Sequence, residues 1–126
     1  MSTDNSVSGV DVDALFGSID HFDADAFAAF FAPNATYVFS NYPPVVGRDE
    51  IVAAATAFWD TVRTLSHDVL EVLPINGGFV TRLEIAFGLQ DGRTVTLPVA
   101  MITRTAAGLI TEHRIYVNET PLAAGE

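Results

Sequence analysis

Residues 109–122 read Leu-Ile-Thr-Glu-His-Arg-Ile-Tyr-Val-Asn-Glu-Thr-Pro-Leu, and the interpretation of the whole chain depends on this stretch. If it is a strand, its side chains alternate between two faces. One face is neutral or apolar and carries Thr111, His113, Ile115 and Val117. The other face can form hydrogen bonds and carries Glu112, Arg114, Tyr116 and Asn118. The polar face is either the hydrated side of an antiparallel sheet or the wall of an enclosed pocket.

Length and composition exclude several classes of function. The 126 residues suffice for one domain that buries roughly two-thirds of its unfolded surface. The formal net charge of −10 repels phosphate backbones and anionic lipids. The chain has no Cys, no apolar run approaching the roughly 20 residues of a membrane span, and no signal-peptide pattern at its start. We therefore expect a cytoplasmic protein without nucleic-acid or membrane partners.

The first half of the chain has the hydrophobic spacing of three helices and one strand. We expect a short helix capped by Asp11 or Asp13, a second helix that ends at Pro33, a strand over residues 35–40 and a long helix from residue 48 or 49 to Leu65. Residues 1–10 and 123–126 are predicted to be flexible tails on one domain, residues 11–122.

From His67 onward the hydrophobic period becomes two, which is typical of strands. Gly-containing turns separate four predicted strands over residues 67–73, 79–89, 94–105 and 109–122. Helices followed by grouped strands predict an α+β fold, with the helices on one face of an antiparallel sheet. Because the predicted sheet is apolar on both faces, we expect a second copy of the chain to cover its outer face as a homodimer.

Arg82 and Glu84 lie two residues apart on a predicted strand and therefore point to the same side. They are either an exposed ion pair of little energetic value or a pair inside a cavity, where burial perturbs protonation. His67 is interpreted as structural more readily than catalytic, and His113 as a residue at a subunit contact. No closely spaced ligand motif is present, so we expect neither a metal nor another cofactor.

The run from Tyr37 to Ile51, which includes Pro-Pro-Val-Val-Gly-Arg-Asp-Glu-Ile before a long helix, resembles the nuclear-transport-factor-2-like superfamily. The closing Arg-Ile-Tyr-Val-Asn run over residues 114–118 strengthens the resemblance, which extends from Val12 to Leu122. Within that superfamily the chain is similar to SnoaL-like polyketide cyclases and limonene-1,2-epoxide hydrolases. The resemblance implies a cone-shaped fold of three helices on a strongly curved sheet of the cystatin-like type, with a deep apolar pocket and a dimer formed through the outer sheet face.

The resemblance also implies site residues. Arg82-Leu83-Glu84 matches the Arg-x-Asp motif of the epoxide hydrolases with Glu in place of Asp, and Tyr37 matches their Tyr. Asn118 stands where their water-activating Asp is expected, and Asn cannot accept a proton from water. Glu84 is then the candidate base, held by Arg82, with Tyr37 and Asn118 as hydrogen-bond donors.

Six further residues are predicted to bind the substrate: Tyr116, Phe39, Trp59, Phe58, His67 and Met101. This aromatic set indicates an apolar, ring-sized small molecule.

Three functions are compatible with these residues. The first is an isomerase or cyclase that removes a proton next to a carbonyl group, because one carboxyl can both take and return it. The second is an epoxide hydrolase whose water is activated by Glu84 or Asp68. The third is a noncatalytic dimer that binds an apolar ligand, since one fold hosts all three.

Overall fold

A computed structural model gives the structure of residues 6–123, so residues 1–5 and 124–126 of the two predicted tails lie outside the described residues. Within this part of the chain the helices are α1 (Val12–Asp20), α2 (Ala24–Ala28), α3 (Arg48–Trp59) and α4 (Thr120–Ala123). The strands are β1 (Ser6–Val7), β2 (Val10–Asp11), β3 (Phe31–Phe39), β4 (Val45–Val46), β5 (Val62–Ile75), β6 (Gly78–Leu89), β7 (Thr94–Ala106) and β8 (Leu109–Tyr116). None of the helices described is both long and apolar enough to cross a membrane.

Six strands form one curved sheet in the order β4-β3-β8-β7-β6-β5. β3 and β8 run parallel, and every other neighbouring pair in this sheet is antiparallel. α1 packs on β5, α3 packs on β3 and β5, and α2 packs on α1 and α3, so these three helices lie on the inner side of the sheet. The predicted α+β fold, with helices on one side of a mostly antiparallel curved sheet, is confirmed.

Side-chain caps fix the starts of the first two helices. Asp11 Oδ1 accepts a hydrogen bond from the backbone N–H of Ala14 at 3.1 Å, so Asp11 rather than Asp13 caps α1. Asp23 Oδ1 accepts from Ala26 N–H at 3.1 Å in the same way and begins α2. The two caps therefore determine the residues at which α1 and α2 begin.

The second helix is shorter than predicted, and β3 starts earlier. Phe31 is fully buried, and it belongs to β3, where it pairs with Ile110 of β8. The Arg48 guanidinium donates to the Phe31 carbonyl from Nε at 3.0 Å and from Nη2 at 2.8 Å. Phe27, Phe30 and Phe31, whose spacing favours one side of a helix, thus mark a helix–strand junction, because α2 ends at Ala28 and β3 begins at Phe31.

The long helix ends at Trp59 instead of Leu65, and a β-bulge explains the difference. Val62 and Leu65 are three residues apart, as on one side of a helix, yet both are buried residues of β5. Val62 pairs with Leu89, and Thr64 pairs with Gly88, so Arg63 is an extra residue in β5. The extra residue restarts the alternation and turns both apolar side chains inward.

The last strand ends at Tyr116, six residues before the predicted end. His113 and Ile115 face the core with 2% and 6% exposure. Arg114 and Tyr116 are exposed on the opposite face. The polar face of this strand is therefore the hydrated side of the sheet, which is one of the two predicted alternatives, and the alternative that it lines a pocket is wrong.

Residues 6–10 are predicted to belong to a flexible tail, but they lie in the β1–β2 hairpin, in which Ser6 pairs with Asp11 and Val7 pairs with Val10. Val10 is 1% exposed. Gly9 has φ +80°, and a Cβ there would lie 2.8 Å from the Cα of Gly108, so this turn requires glycine. The close approach fixes the hairpin against the turn between β7 and β8.

Candidate active site

The helices and the inner face of the sheet enclose a cavity of about 480 Å³. Its wall is mainly apolar and aromatic, and five predicted substrate-binding residues line it: Phe39, Phe58, Trp59, His67 and Met101. Tyr37 of β3 also lines the cavity. A volume of this size lies within the usual range of small-molecule sites, roughly 300–1,000 Å³. The inner face therefore provides a site for a small molecule.

Asp20 forms a hydrogen bond with His67, a residue of the cavity wall. Asp20 is the last residue of α1, and its Oδ1 lies 2.5 Å from His67 Nδ1 on β5. Its Oδ2 accepts from the backbone N–H of His67 at 3.0 Å. Phe16 stacks on the imidazole with ring centroids 4.9 Å apart. The side chain of His67 is only 4% exposed, so these contacts fix the ring in one position.

The hydrogen bond to Asp20 determines how His67 meets the cavity. A carboxylate only accepts hydrogen bonds, so the proton of the neutral imidazole lies on Nδ1. Nε2 then carries a lone pair, and within residues 6–123 no side chain or backbone group occupies it. A histidine whose Nδ1–H is held by a carboxylate is the arrangement of a general base. His67 can therefore accept a proton from a molecule in the cavity.

A second set of polar residues lies on the inner face, where three residues pair side by side across three neighbouring strands. Tyr37 on β3 pairs with His113 on β8, which pairs with Thr103 on β7. Thr103 Oγ1 is 2.9 Å from His113 Nδ1, and the Tyr37 ring stacks on the imidazole at 5.6 Å. Burial lowers the pKa of His113 to about 4, and a positive charge on His67 adds to this effect when that imidazole is protonated. Burial also raises the pKa of Tyr37 above its usual value.

The mouth of the cavity is partly acidic. Glu119 lines the cavity, and its Oε1 accepts a hydrogen bond of 2.6 Å from the Ser40 hydroxyl, which lowers the pKa of this carboxyl. The Ser40 hydroxyl oxygen also lies 3.2 Å from the Val117 carbonyl oxygen. Tyr42 stacks on Phe39 beside the same opening. The segment that follows β8 is thus tied to the end of β3.

Arg82 and Glu84 lie on the outer face of the sheet, which corrects the prediction that they enter the cavity. The alternation of β6 turns Leu83 and Ile85 inward and the two charged residues outward. Arg82 Nε donates to Glu71 Oε1 at 3.0 Å, and the side chains are 59% and 45% exposed. An ion pair this exposed contributes little to stability.

Three other residues with predicted roles, Asn118, Tyr116 and Asp68, also lie outside the cavity. Asn118 lies beyond the end of β8, and its side-chain oxygen accepts from the backbone N–H of Thr120 at 3.2 Å. Tyr116 is 50% exposed. Asp68 is exposed on β5 opposite Glu84. Arg82, Glu84 and Asn118 were predicted to belong to one catalytic site, and that prediction is wrong because all three lie outside the cavity.

Four polar residues of the cavity region were missed or misplaced by the sequence analysis: Asp20, Thr103, His113 and Glu119. His113 is buried in the wall and not at a subunit contact. Among the described residues, no three His, Cys, Asp or Glu side chains are placed to hold a metal ion.

The SnoaL-like domain family matches residues 12–113, which is most of the chain. The chain belongs to the SnoaL-like domain family. None of the proteins with curated descriptions matches this SnoaL-like chain.

Solved structures share the fold of this SnoaL-like chain. A nuclear-transport-factor-2-like protein from Burkholderia pseudomallei K96243 has a TM-score of 0.81 at 14% identity, covering 88% of this chain and 90% of the other. A proposed SnoaL-like polyketide cyclase from Jannaschia sp. CCS1 has a TM-score of 0.77 at 15% identity, covering 89% and 88%. An LEH-like epoxide hydrolase of M. tuberculosis has a TM-score of 0.74 at 16% identity, covering 85% and 79%. At these identities the likeness establishes the fold.

Proposed function

We propose that this SnoaL-like protein is a cofactor-independent acid–base enzyme that acts on a neutral, apolar, ring-sized carbonyl compound as an isomerase or cyclase, with His67 as its base. The observation that carries the proposal is the Asp20–His67 pair, whose free Nε2 belongs to a residue lining an apolar cavity. Glu84, the base predicted from the sequence, has no place in this proposal because it lies on the outer face.

The cavity wall supports a neutral substrate. The described residues that line it include no Arg or Lys, and the carboxylate of Glu119 lies at its mouth. An anionic substrate would therefore lose its hydration without gaining a counter-charge. The aromatic side chains of Phe39, Phe58 and Trp59 offer flat apolar surface to a ring system.

The proposed chemistry is a proton transfer. His67 Nε2 takes a proton from the carbon next to the carbonyl, and the C–H electron pair moves into the enolate. Asp20 stabilises the imidazolium that forms, since it accepts from Nδ1–H at 2.5 Å. The imidazolium then returns the proton to another carbon, or the enolate attacks a second carbonyl to close a ring and the imidazolium protonates the alkoxide that forms. A placed base of this kind contributes about 10²- to 10⁴-fold to the rate.

Exchange of carbon-bound hydrogen tests this proposal. We choose 2-tetralone, a two-ring ketone, in D₂O and follow loss of its α-hydrogen signals by NMR. The wild-type protein should accelerate exchange, and His67→Gln should remove the acceleration. His21→Gln is the matched control, because His21 is an exposed histidine outside the cavity. Equal rates for wild type and His67→Gln would contradict the assignment of His67 as the base.

Epoxide hydrolysis and noncatalytic ligand binding, the two alternatives to this enzyme activity, remain predictions. Epoxide hydrolysis would transfer oxygen from labelled water into a diol product, but the charged residues that suggested it lie on the outer face. A noncatalytic binding protein would return its ligand unchanged after long incubation. Both outcomes differ from α-hydrogen exchange that depends on His67.

We also propose that the protein is a homodimer through the outer sheet face. Leu73 and Tyr116 are 45% and 50% exposed there, and Ile102 of β7 lies between them in partial contact with solvent. Apolar side chains in such a patch favour association. Ile102→Asp should give a monomer in sedimentation analysis, while Val46→Asp at the far edge of the sheet should not. An unchanged mass for Ile102→Asp would contradict this interface.

A further inference from the structure

His113 is a buried titratable side chain that the proton transfer proposed above leaves without a role. It is 2% exposed and lines the cavity. Because its pKa is lowered to about 4, the imidazole is neutral near pH 7. A neutral imidazole has one N–H donor and one lone-pair acceptor. The position of its proton therefore decides what His113 offers to a ligand.

The contact with Thr103 assigns that proton. Thr103 Oγ1 is fully buried and lies 2.9 Å from His113 Nδ1. If Nδ1 carried the proton, the hydrogen of the Thr103 hydroxyl would be buried without an acceptor among residues 6–123. Buried donors are rarely left in that state. The Thr103 hydroxyl therefore donates to Nδ1, and the proton of His113 lies on Nε2.

The Nε2–H of His113 reaches the cavity. Among the buried side-chain polar atoms of the described residues, only Thr81 Oγ1 is both sealed from solvent and without a partner. No described group bonds to His113 Nε2, so this atom retains accessible surface, and His113 lines the cavity. His67 has the opposite tautomer, because Asp20 accepts from its Nδ1. One imidazole thus offers a lone pair and the other offers a donor.

We propose that His113 binds the carbonyl oxygen of the substrate through Nε2–H, while His67 faces the adjacent C–H group. This inference rests on the proposed function for its choice of a carbonyl compound. The cavity then selects a substrate whose carbonyl oxygen meets His113 while the C–H group next to that carbonyl meets His67. During proton transfer, negative charge develops on the oxygen that His113 holds, so the contact strengthens in the transition state.

Tyr37 completes the donor end. Its ring stacks on His113, its hydroxyl has no partner among the described residues, and it lines the same cavity. Burial raises its pKa, so the hydroxyl keeps its proton and remains a donor. The same oxygen can therefore accept from both side chains.

NMR of ¹⁵N-labelled protein tests the tautomers without any ligand. We expect the proton of His67 on Nδ1 and that of His113 on Nε2. Thr103→Val removes the hydroxyl and should abolish the preference at His113. Thr81→Val is the matched control, because this hydroxyl is also buried but has no partner. A proton on Nδ1 of His113 in the wild-type protein would overturn the inference.

Calorimetry with two probes tests the binding role. 2-Tetralone carries the acceptor oxygen, and tetralin has the same ring frame without it. The wild-type protein should prefer the ketone, and His113→Phe or Thr103→Val should lower ketone affinity by about three- to tenfold while leaving tetralin affinity unchanged. The infrared C=O band of the bound ketone should shift to lower frequency in the wild-type protein only.

An unchanged ketone preference in His113→Phe would overturn the inference. If His113→Phe does not fold, an unchanged ketone preference in Thr103→Val would overturn it. If the wild-type protein prefers the ketone but does not accelerate α-hydrogen exchange through His67, that result would contradict the proposed function and leave this inference standing. If the wild-type protein accelerates exchange but NMR places the proton of His113 on Nδ1, that result would contradict this inference and leave the proposed function standing.

Discussion

Asp20 holds His67 by both carboxylate oxygens, although 47 residues separate them in the chain. One oxygen fixes the imidazole, and the other fixes the backbone of the strand that carries it. The carboxylate lies at the C-terminal end of α1, where the helix dipole disfavours negative charge. The two hydrogen bonds offset that cost and join the end of α1 to β5. The base of the proposed enzyme is therefore positioned by a helix terminus.

Asp20→Asn should impair both activity and stability. The amide has no charge to stabilise the imidazolium, so the rate of α-hydrogen exchange should fall at least about tenfold. The free energy of unfolding should fall by about 1–3 kcal/mol because charge-assisted hydrogen bonds are lost. Exchange NMR and urea denaturation measure the two effects. Asp25→Asn on the exposed side of α2 is the control, and equal rates for both variants would contradict the role of Asp20.

His113 should make stability depend on pH. Its pKa is about 4 in the folded protein and about 6.5 when unfolded, so between these values only the unfolded chain binds the proton. The free energy of unfolding must then decrease as the pH falls below 6.5, by about 3 kcal/mol at pH 4 from this group alone. Above pH 7 the group contributes no pH dependence.

Denaturation curves over this pH range measure the effect in wild type and in His113→Phe. Subtracting the two curves removes the contribution of the carboxylates that both proteins share. The variant should lose less stability on acidification, and parallel curves would mean that folding does not lower the pKa of His113.

Glu84→Gln should leave α-hydrogen exchange unchanged. Glu84 is exposed on the outer face, directly opposite Asp68 on β5. Like charges across a strand pair are destabilising, so neutralising one should raise the free energy of unfolding by about 0.2–1 kcal/mol. Thermal denaturation and the exchange assay check both expectations. A large loss of exchange would restore a catalytic role for Glu84.

Gly78→Ala should destabilise the protein strongly. A Cβ at this position would lie 2.0 Å from the Thr103 carbonyl oxygen, so β6 and β7 would have to separate. Overpacking of this kind costs about 1–3 kcal/mol or more. Gly17→Ala is the matched control, because a Cβ there meets nothing within 4 Å in α1. It should stabilise the protein by about 0.5–1 kcal/mol, and chemical denaturation compares the two.

The order of the first three helices and the five long strands could be predicted because hydrophobic periods and Gly-containing turns are local signals, whereas the short elements β1, β2, β4 and α4 were not predicted. The element bounds could not, because bulges at Arg63 and Leu70 restart the alternation of β5. With Leu70 as an extra residue, His67 faces the cavity while Glu71 faces the outside, although both have odd numbers. Such a bulge depends on the partner strand and leaves no mark in composition.

The aromatic wall of the cavity was predicted more successfully than its polar groups. Phe39, Phe58 and Trp59 were predicted to bind the substrate, and all three line the cavity. Asp20–His67 and Thr103–His113 are pairs between different elements, so neither has a signature at fixed spacing. Arg82 and Glu84 had such a spacing but lie on the hydrated face. Motif similarity alone therefore selected the wrong side of the sheet.

Trp59, the only tryptophan of the chain, forms part of the cavity wall. It contacts the rings of Phe22 and Phe27 at 5.8 and 5.7 Å, so its indole is held in one environment. Any molecule that fills the cavity must alter that environment and hence the fluorescence of a single, defined chromophore. The protein thus carries an intrinsic optical reporter, with which a library of compounds can be screened for ligands without labels and before any reaction is known.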